Sequence, residues 1–225
     1  MSLKLHCFGE SGNAYKAALA LELSGLPWEP VFVDFFNGAL RASDYRETLN
    51  EMGEVPVLVD GDARLTQSGA IQQYIVDKTG RLGGAPADRW EVLRWQFWDN
   101  HKLSSQAGAV RFMLNFLPPE KRERQAQVVA FLQGRLETAY SVLDKRLASR
   151  DWLVGDSLTV ADISCCGYLF YDEPFGFTRG DWVHIDDWLD RSAATPGWKH
   201  PYDLMPPARP ENRQAEHRLA ENQKR

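Results

Sequence analysis

Residues 50–71 read N-E-M-G-E-V-P-V-L-V-D-G-D-A-R-L-T-Q-S-G-A-I, and few local structures suit such a stretch. Val55, Val57, Leu58 and Val59 form a short strand-like run, Asp60-Gly61-Asp62 is a turn signal, and Arg64-Leu65-Thr66 restarts a strand. Gln67-Ser68-Gly69 then opens a helix with apolar positions at Ile71, Tyr74 and Ile75. Ser68 reads as an N-cap or first-turn residue with free backbone N–H groups behind it. Such a start attracts carboxylates, because unpaired N–H groups and the helix dipole favour negative charge there. Pro56 removes a ladder donor and so suits an edge or a special turn. If its peptide bond is cis, Val55 turns its N–H and C=O outward, free to pair with an extended ligand. The sequence admits either isomer, and without a ligand the same residues read as a β-hairpin running into a helix.

The rest of the chain falls into two parts. Leu3 to Phe8 reads as a strand, Gly9-Glu10-Ser11-Gly12 as a turn, and Asn13 to Leu23 as a helix ended by Ser24-Gly25. Trp28 to Phe35 alternates into a second strand, and Asn37 to Leu49 connects it to the hairpin. Residues 1–79 are thus expected to form an α/β domain, with a linker at 80–87 marked by the stretch T-G-R-L-G-G-A-P at residues 79–86. Residues 88–204 are expected to be all helical. One long helix runs from Trp90 through Leu114, and another from Glu120 to Arg150 after Pro118-Pro119. Thr159 and Asp162 have the spacing of a capping box ahead of the apolar run Ile163 to Leu169. Residues 205–225 are charged and poor in apolar side chains, and read as a polar tail.

Composition removes several classes of function. A formal net charge of −5 without a Lys/Arg stripe argues against a nucleic-acid surface. No apolar run approaches the ~20 residues of a membrane helix, and no signal-peptide core follows Met1, so a cytoplasmic protein is expected. Cys7, Cys165 and Cys166 make no C-x-x-C pair, and the five histidines have no metal-ligand spacing. No metal is expected.

The stretch described first resembles the glutathione-binding half of cytosolic glutathione transferases, in which N-P-x-G-x-V-P precedes a hairpin and [E/D/Q]-S-x-A-I. Here it stands as Asn50-Glu51-Met52-Gly53-Glu54-Val55-Pro56 and Gln67-Ser68-Gly69-Ala70-Ile71, with Glu51 replacing the usual first proline. The S/T-x-x-D of the family's second domain stands at Thr159 to Asp162. The likeness spans about residues 3 to 200. It implies a thioredoxin-like N-terminal domain, an all-α C-terminal bundle and a homodimer that takes glutathione as co-substrate. It also implies that Pro56 is cis, that Val55 clasps the cysteinyl part of glutathione, and that Gln67 and Ser68 hold the γ-glutamyl end, with Asn50 in the same segment. Arg41, Arg46 and Asn50 are candidates for the glycyl carboxylate.

A thiol with an ordinary pKa of about 8.5 is mostly protonated at neutral pH, and its thiolate is the nucleophile. A hydrogen-bond donor at a helix start can favour the thiolate, and Ser11 and Asn13 stand at such a start. Both are also common turn and cap residues. By likeness, Ser11 occupies the place of the activating serine in serine-type transferases. Ser11-Gly12-Asn13-Ala14-Tyr15-Lys16 is also similar to the turn of nu-class proteins, which act as glutathione-dependent disulfide reductases with an asparagine on the thiol. Trp98, His101 and Phe112, with Lys102 and Ser105 nearby, are the candidates for an electrophile pocket. The expected activity is transfer of glutathione to a small hydrophobic electrophile, with disulfide reduction or a non-catalytic binding role as the alternatives.

Overall fold

Along β1 (Leu3–Cys7), Leu3, Leu5 and Cys7 are buried, while Lys4 is exposed and His6 half-buried. That period of two puts one face of the strand against a core. In the computed structural model, which describes residues 2–209, β1 lies inside a four-stranded sheet of order β2-β1-β3-β4. β2 (Trp28–Phe32) runs parallel to β1, and a parallel pair needs a crossover, supplied by α1 (Gly12–Ser24). β3 (Val57–Asp60) pairs antiparallel with β1, and the hairpin to β4 (Ala63–Thr66) closes through Gly61 at φ 59°. Pro30 sits in the edge strand β2, where a missing N–H costs no ladder bond on the open side. The order β-α-β then β-β-α, with α2 (Ser43–Thr48) between and α3 (Ser68–Thr79) after, is the thioredoxin-like arrangement.

α1 carries Ala14, Ala17, Ala18, Leu19, Ala20 and Leu21 at 0–1% exposure, so it is buried on nearly all sides. Gly25 ends it in the left-handed region, at φ 77°. The helix packs against α10 (Pro201–Leu204), and Tyr15 donates its hydroxyl to the Lys199 carbonyl at 2.9 Å. The chain divides into two units, one reaching Ile75 and taking up Lys199 onward, the other spanning Val76–Trp198. The first unit therefore includes part of the segment read as a polar tail. Met205 is 2% exposed, Gly9 N–H donates to the Pro206 carbonyl at 2.8 Å, and the Glu10 carboxylate accepts from Ala208 and Arg209 N–H. A Cβ at Gly9 would lie 2.9 Å from Pro207 Cα, so this return of the chain requires glycine there. The remainder of that segment, 210–225, lies outside the described residues.

The second unit is helical: α4 (Arg89–Trp98), α5 (Ser105–Asn115), α6 (Pro119–Glu123), α7 (Ala126–Leu147), α8 (Val160–Cys166) and α9 (Val183–Ala193). The two long helices expected from periodicity are each modified. A π-helical turn at Asp99–Ser104 joins α4 to α5; Asp99 is fully buried there and accepts from the hydroxyls of Ser104 (2.7 Å) and Ser164 (2.8 Å). A buried carboxylate with two donors outweighs the regular i→i−4 ladder, which periodicity cannot register. The second helix is broken at Arg124-Gln125 into α6 and α7.

The Thr159–Asp162 box forms as its spacing predicts. Thr159 Oγ1 accepts from Ala161 N–H at 3.2 Å, and Asp162 Oδ2 accepts from Thr159 N–H at 2.9 Å. Asp162 Oδ1 also accepts from Leu153 N–H (2.9 Å) and Trp188 Nε1 (3.0 Å), tying the box to the loop before it and to α9. All of this is at or below 2% exposure, apart from the loop's outer residues. Asp162→Ala removes the acceptor of four buried donors, the N–H groups of Leu153 and Thr159, the Thr159 hydroxyl and Trp188 Nε1. It is expected to destabilise the protein by about 3–5 kcal/mol in chemical denaturation followed by tryptophan fluorescence.

Candidate active site at one end of the sheet

Strand register decides which motifs meet. His6 pairs with Val57 and Val57 with Thr66, so the turn after β1, the Val55–Pro56 step before β3 and Gln67–Ser68 after β4 all lie at one end of the sheet. α1 and α3 both begin at that end, so two helix N-termini stand there. Their free N–H groups favour a ligand with negative charge.

At α1, Ser11 is the N-cap. Its Oγ accepts from Ala14 N–H at 3.2 Å and its carbonyl from Tyr15 N–H at 2.9 Å. The cap uses only an acceptor position, so the hydroxyl proton remains available to a ligand. Asn13, one turn position further, has its Oδ1 buried without a hydrogen-bond partner among the described residues. Other side chains that could activate a thiol here are committed. The Tyr15 hydroxyl is 0% exposed and donates to Lys199, and burial pushes the Cys7 thiol up to about 12. Cys165 and Cys166 are buried in α8 and form no disulfide among the described residues.

The Val55–Pro56 peptide bond is cis. Val55 is half-buried, and its N–H and C=O have no protein partner among the described residues. The residue before it is held firmly: the Glu54 carbonyl accepts from Asn50 Nδ2 and Tyr45 Oη, both at 2.9 Å. Asn50, 1% exposed, also accepts from Met52 N–H through Oδ1 at 3.1 Å, so both ends of its amide serve this turn. Gly53 adopts φ 65°, and a Cβ there would come within 2.8 Å of the Leu40 carbonyl oxygen. Arg46 donates to the Leu40 and Glu51 carbonyls and Arg64 to the Thr48 carbonyl, while Arg41 is exposed in a short 3₁₀ turn.

At α3, Ser68 is the first helical residue and Gln67 precedes it with φ 66°. The Gln67 carbonyl accepts from Ile71 N–H at 3.0 Å, which leaves the N–H groups of Ser68, Gly69 and Ala70 without protein acceptors. Ser68 is 8% exposed, and its hydroxyl makes no hydrogen bond among the described residues. The left-handed backbone at a non-glycine residue is the local feature that sequence reading missed; only the structure reveals it. Such a residue persists where its side chain is needed, at a cost of about 1–3 kcal/mol. Gln67→Gly is therefore expected to raise stability by about 1 kcal/mol, measured by thermal unfolding without ligand.

The electrophile-pocket candidates belong to the helical unit. Trp98 is half-buried, edge-to-face with Trp95 at 5.1 Å. His101 is exposed on the π-helical turn, and Phe112 is 37% exposed on α5 beside Phe116. Among the described residues no group of three or more His, Cys, Asp and Glu is placed to hold a metal ion. No described helix is long and apolar enough to cross a membrane.

Comparison with known proteins gives the same account as the geometry. Residues 1–77 match the family model of the glutathione S-transferase N-terminal domain, and residues 103–196 that of the C-terminal domain. Glutathione S-transferase 3 of Zea mays is 34% identical over 164 residues, covering 71% of this chain and 73% of that protein. The Disulfide-bond oxidoreductase YfcG of Escherichia coli (strain K12) is 27% identical over 166 residues, covering 70% and 75%. A crystal structure of a possible glutathione S-transferase from Rhodopseudomonas palustris superimposes with a TM-score of 0.81 at 30% identity, covering 88% of this chain and 89% of that one. With both domains matched in order and the sheet, cis-proline and capped helices in place, this chain belongs to the glutathione S-transferase family.

Proposed function

We propose that the protein is a glutathione transferase that binds glutathione along the Val55–Pro56 backbone and activates its thiol at the N-terminus of α1. The observation that carries this reading is Ser11, whose Oγ caps α1 as an acceptor and keeps its proton for a sulfur. The unpaired N–H and C=O of Val55 suit an extended peptide added at the sheet's end. Ser68 and the free N–H groups of α3 suit the carboxylate of the γ-glutamyl head. In this mechanism Ser11 donates to the developing thiolate, and the α1 N-terminus adds its positive end. The thiolate attacks an electrophilic carbon of a small hydrophobic substrate, and the leaving group departs with the displaced electron pair. Trp98, His101 and Phe112 are the proposed contacts for that substrate.

Disulfide reduction is the second reading. The place of Asn13 in the first turn of α1 and the likeness to YfcG favour it. It predicts faster turnover of a small glutathione mixed disulfide than of an aryl halide, and greater loss on Asn13→Ala than on Ser11→Ala. Under the transferase reading, Ser11→Ala lowers kcat/KM with an aryl halide by about 10²-fold and removes the thiolate absorbance of bound glutathione. Ser68→Ala does the reverse, weakening glutathione by about tenfold with the thiolate absorbance of the bound fraction unchanged. A non-catalytic protein of this fold would show neither effect.

A homodimer is part of the proposal. Trp90 and Phe97 are 75% and 72% exposed and lie seven residues apart on α4, so they share one face. A second copy of the chain is the expected cover. Trp90→Glu with Phe97→Glu is expected to convert a dimer to a monomer in sedimentation velocity, with the helical circular-dichroism signal retained.

A further inference from the structure

Phe8 to Ser11 is a β-turn, closed by the Ser11 N–H donating to the Phe8 carbonyl at 3.1 Å, with Gly9 and Glu10 as its central residues. Both are bonded to a segment nearly the whole chain away. Gly9 N–H donates to the Pro206 carbonyl at 2.8 Å, and Pro207 packs so closely that a Cβ on Gly9 would lie 2.9 Å from its Cα. The Glu10 carboxylate accepts Ala208 N–H on Oε2 at 2.9 Å and Arg209 N–H on Oε1 at 3.0 Å. One oxygen on each of two consecutive N–H groups fixes the carboxylate plane as well as its place. A second hold runs through rings. The Arg209 guanidinium lies 5.0 Å from the Phe36 ring centroid, and Phe36 meets Phe8 edge-to-face at 6.1 Å.

Glu10 is 3% exposed, and burying a carboxylate is unfavourable unless its oxygens are well hydrogen-bonded. A β-turn by itself needs no carboxylate at its third position, where small polar residues and glycine serve. What the carboxylate adds is a tie between this turn and residues 208 and 209, and the next residue in the chain is Ser11. Ser11 Oγ is set on the α1 side by Ala14 N–H at 3.2 Å; on the strand side its place follows from the turn. We propose that Glu10 is a positioning residue: by gripping Ala208 and Arg209 it holds the turn that carries Ser11, and so aims the Ser11 hydroxyl at the glutathione sulfur. The inference rests on the transferase reading above and adds the C-terminal segment to the thiol-activating machinery. A donor misplaced by about 1 Å is enough to lose about 10²-fold in rate.

The test is the pH profile of kcat/KM for an aryl halide at saturating glutathione, which reports the ionisation of the bound thiol. Glu10→Gln is nearly isosteric, but its amide accepts only one of the two N–H groups and turns an NH2 toward the other. It is expected to raise the acid midpoint of the profile by about one pH unit and to lower kcat/KM at neutral pH about tenfold. In a Ser11→Ala background the same substitution is expected to change kcat/KM less than about twofold, because the hydroxyl it positions is gone. Ala208→Pro removes one donor without touching the turn and is expected to raise the midpoint in the same way, so the test stands even where Glu10→Gln does not fold. A carboxylate acting through its charge alone gives the opposite sign, since removing a negative charge beside a thiolate lowers the midpoint. A midpoint that stays or falls in the folded variants, or a loss that persists without the Ser11 hydroxyl, overturns the assignment of Glu10. Wild-type protein with no glutathione-dependent turnover of the aryl halide overturns the transferase reading and the inference with it.

Discussion

Two hydrogen bonds to one carbonyl organise the N-terminal unit's working end. Asn50 Nδ2 and Tyr45 Oη both donate to the Glu54 carbonyl, and this fixes the chain as it enters the Val55–Pro56 step. The next residue presents an N–H and a C=O that no protein group takes up. Leaving a half-buried backbone unpaired is costly unless water or a ligand completes it, at about 1–3 kcal/mol per group. The surrounding turn must therefore be over-determined, and it is. Asn50 uses both ends of its amide there, Arg46 donates to carbonyls on either side, and Gly53 fits where a Cβ would strike the Leu40 carbonyl.

The second element of the account is the pairing of helix starts with the sheet's end. A β-α-β unit followed by a β-β-α unit, in the order β2-β1-β3-β4, starts α1 and α3 at the same end. Ser11 caps one and the strained Gln67 precedes the other. A tripeptide carrying carboxylates and an acidifiable thiol is suited to such an end, because each negative group can meet unpaired N–H donors. The return of the chain through Met205–Arg209 then buttresses the turn that carries Ser11. Its contacts fall on Gly9 and Glu10, the two residues immediately before it.

Much of this was legible in the sequence because it depends on local chemistry. Gly25 in the left-handed region, the two-residue hairpin at Gly61, Ser11 at the head of α1 and the Thr159–Asp162 box are all short-range choices of residue type. What escaped depends on distant partners. The π-helical turn forms where Asp99 meets Ser164, 65 residues away, and no periodicity within α4 encodes that. Met205 is buried because Gly9 and Glu10 hold the backbone beside it, although the composition from 205 onward is that of a tail. Asn50 stood among the candidate ligand contacts by its segment, and its amide bonds within the turn, donating to the Glu54 carbonyl and accepting from Met52 N–H. Gln67 carried the correct motif letter without any sign of its backbone conformation.

The central claim is that glutathione binds here as its thiolate. The most direct measurement counts protons released on binding, by titrating glutathione calorimetrically near neutral pH in two buffers of different ionisation enthalpy. A thiol whose pKa falls from about 8.5 to below neutrality gives up close to one proton per bound glutathione, and Ser11→Ala suppresses most of that release. Tight binding with no proton released by the wild-type protein would contradict the account.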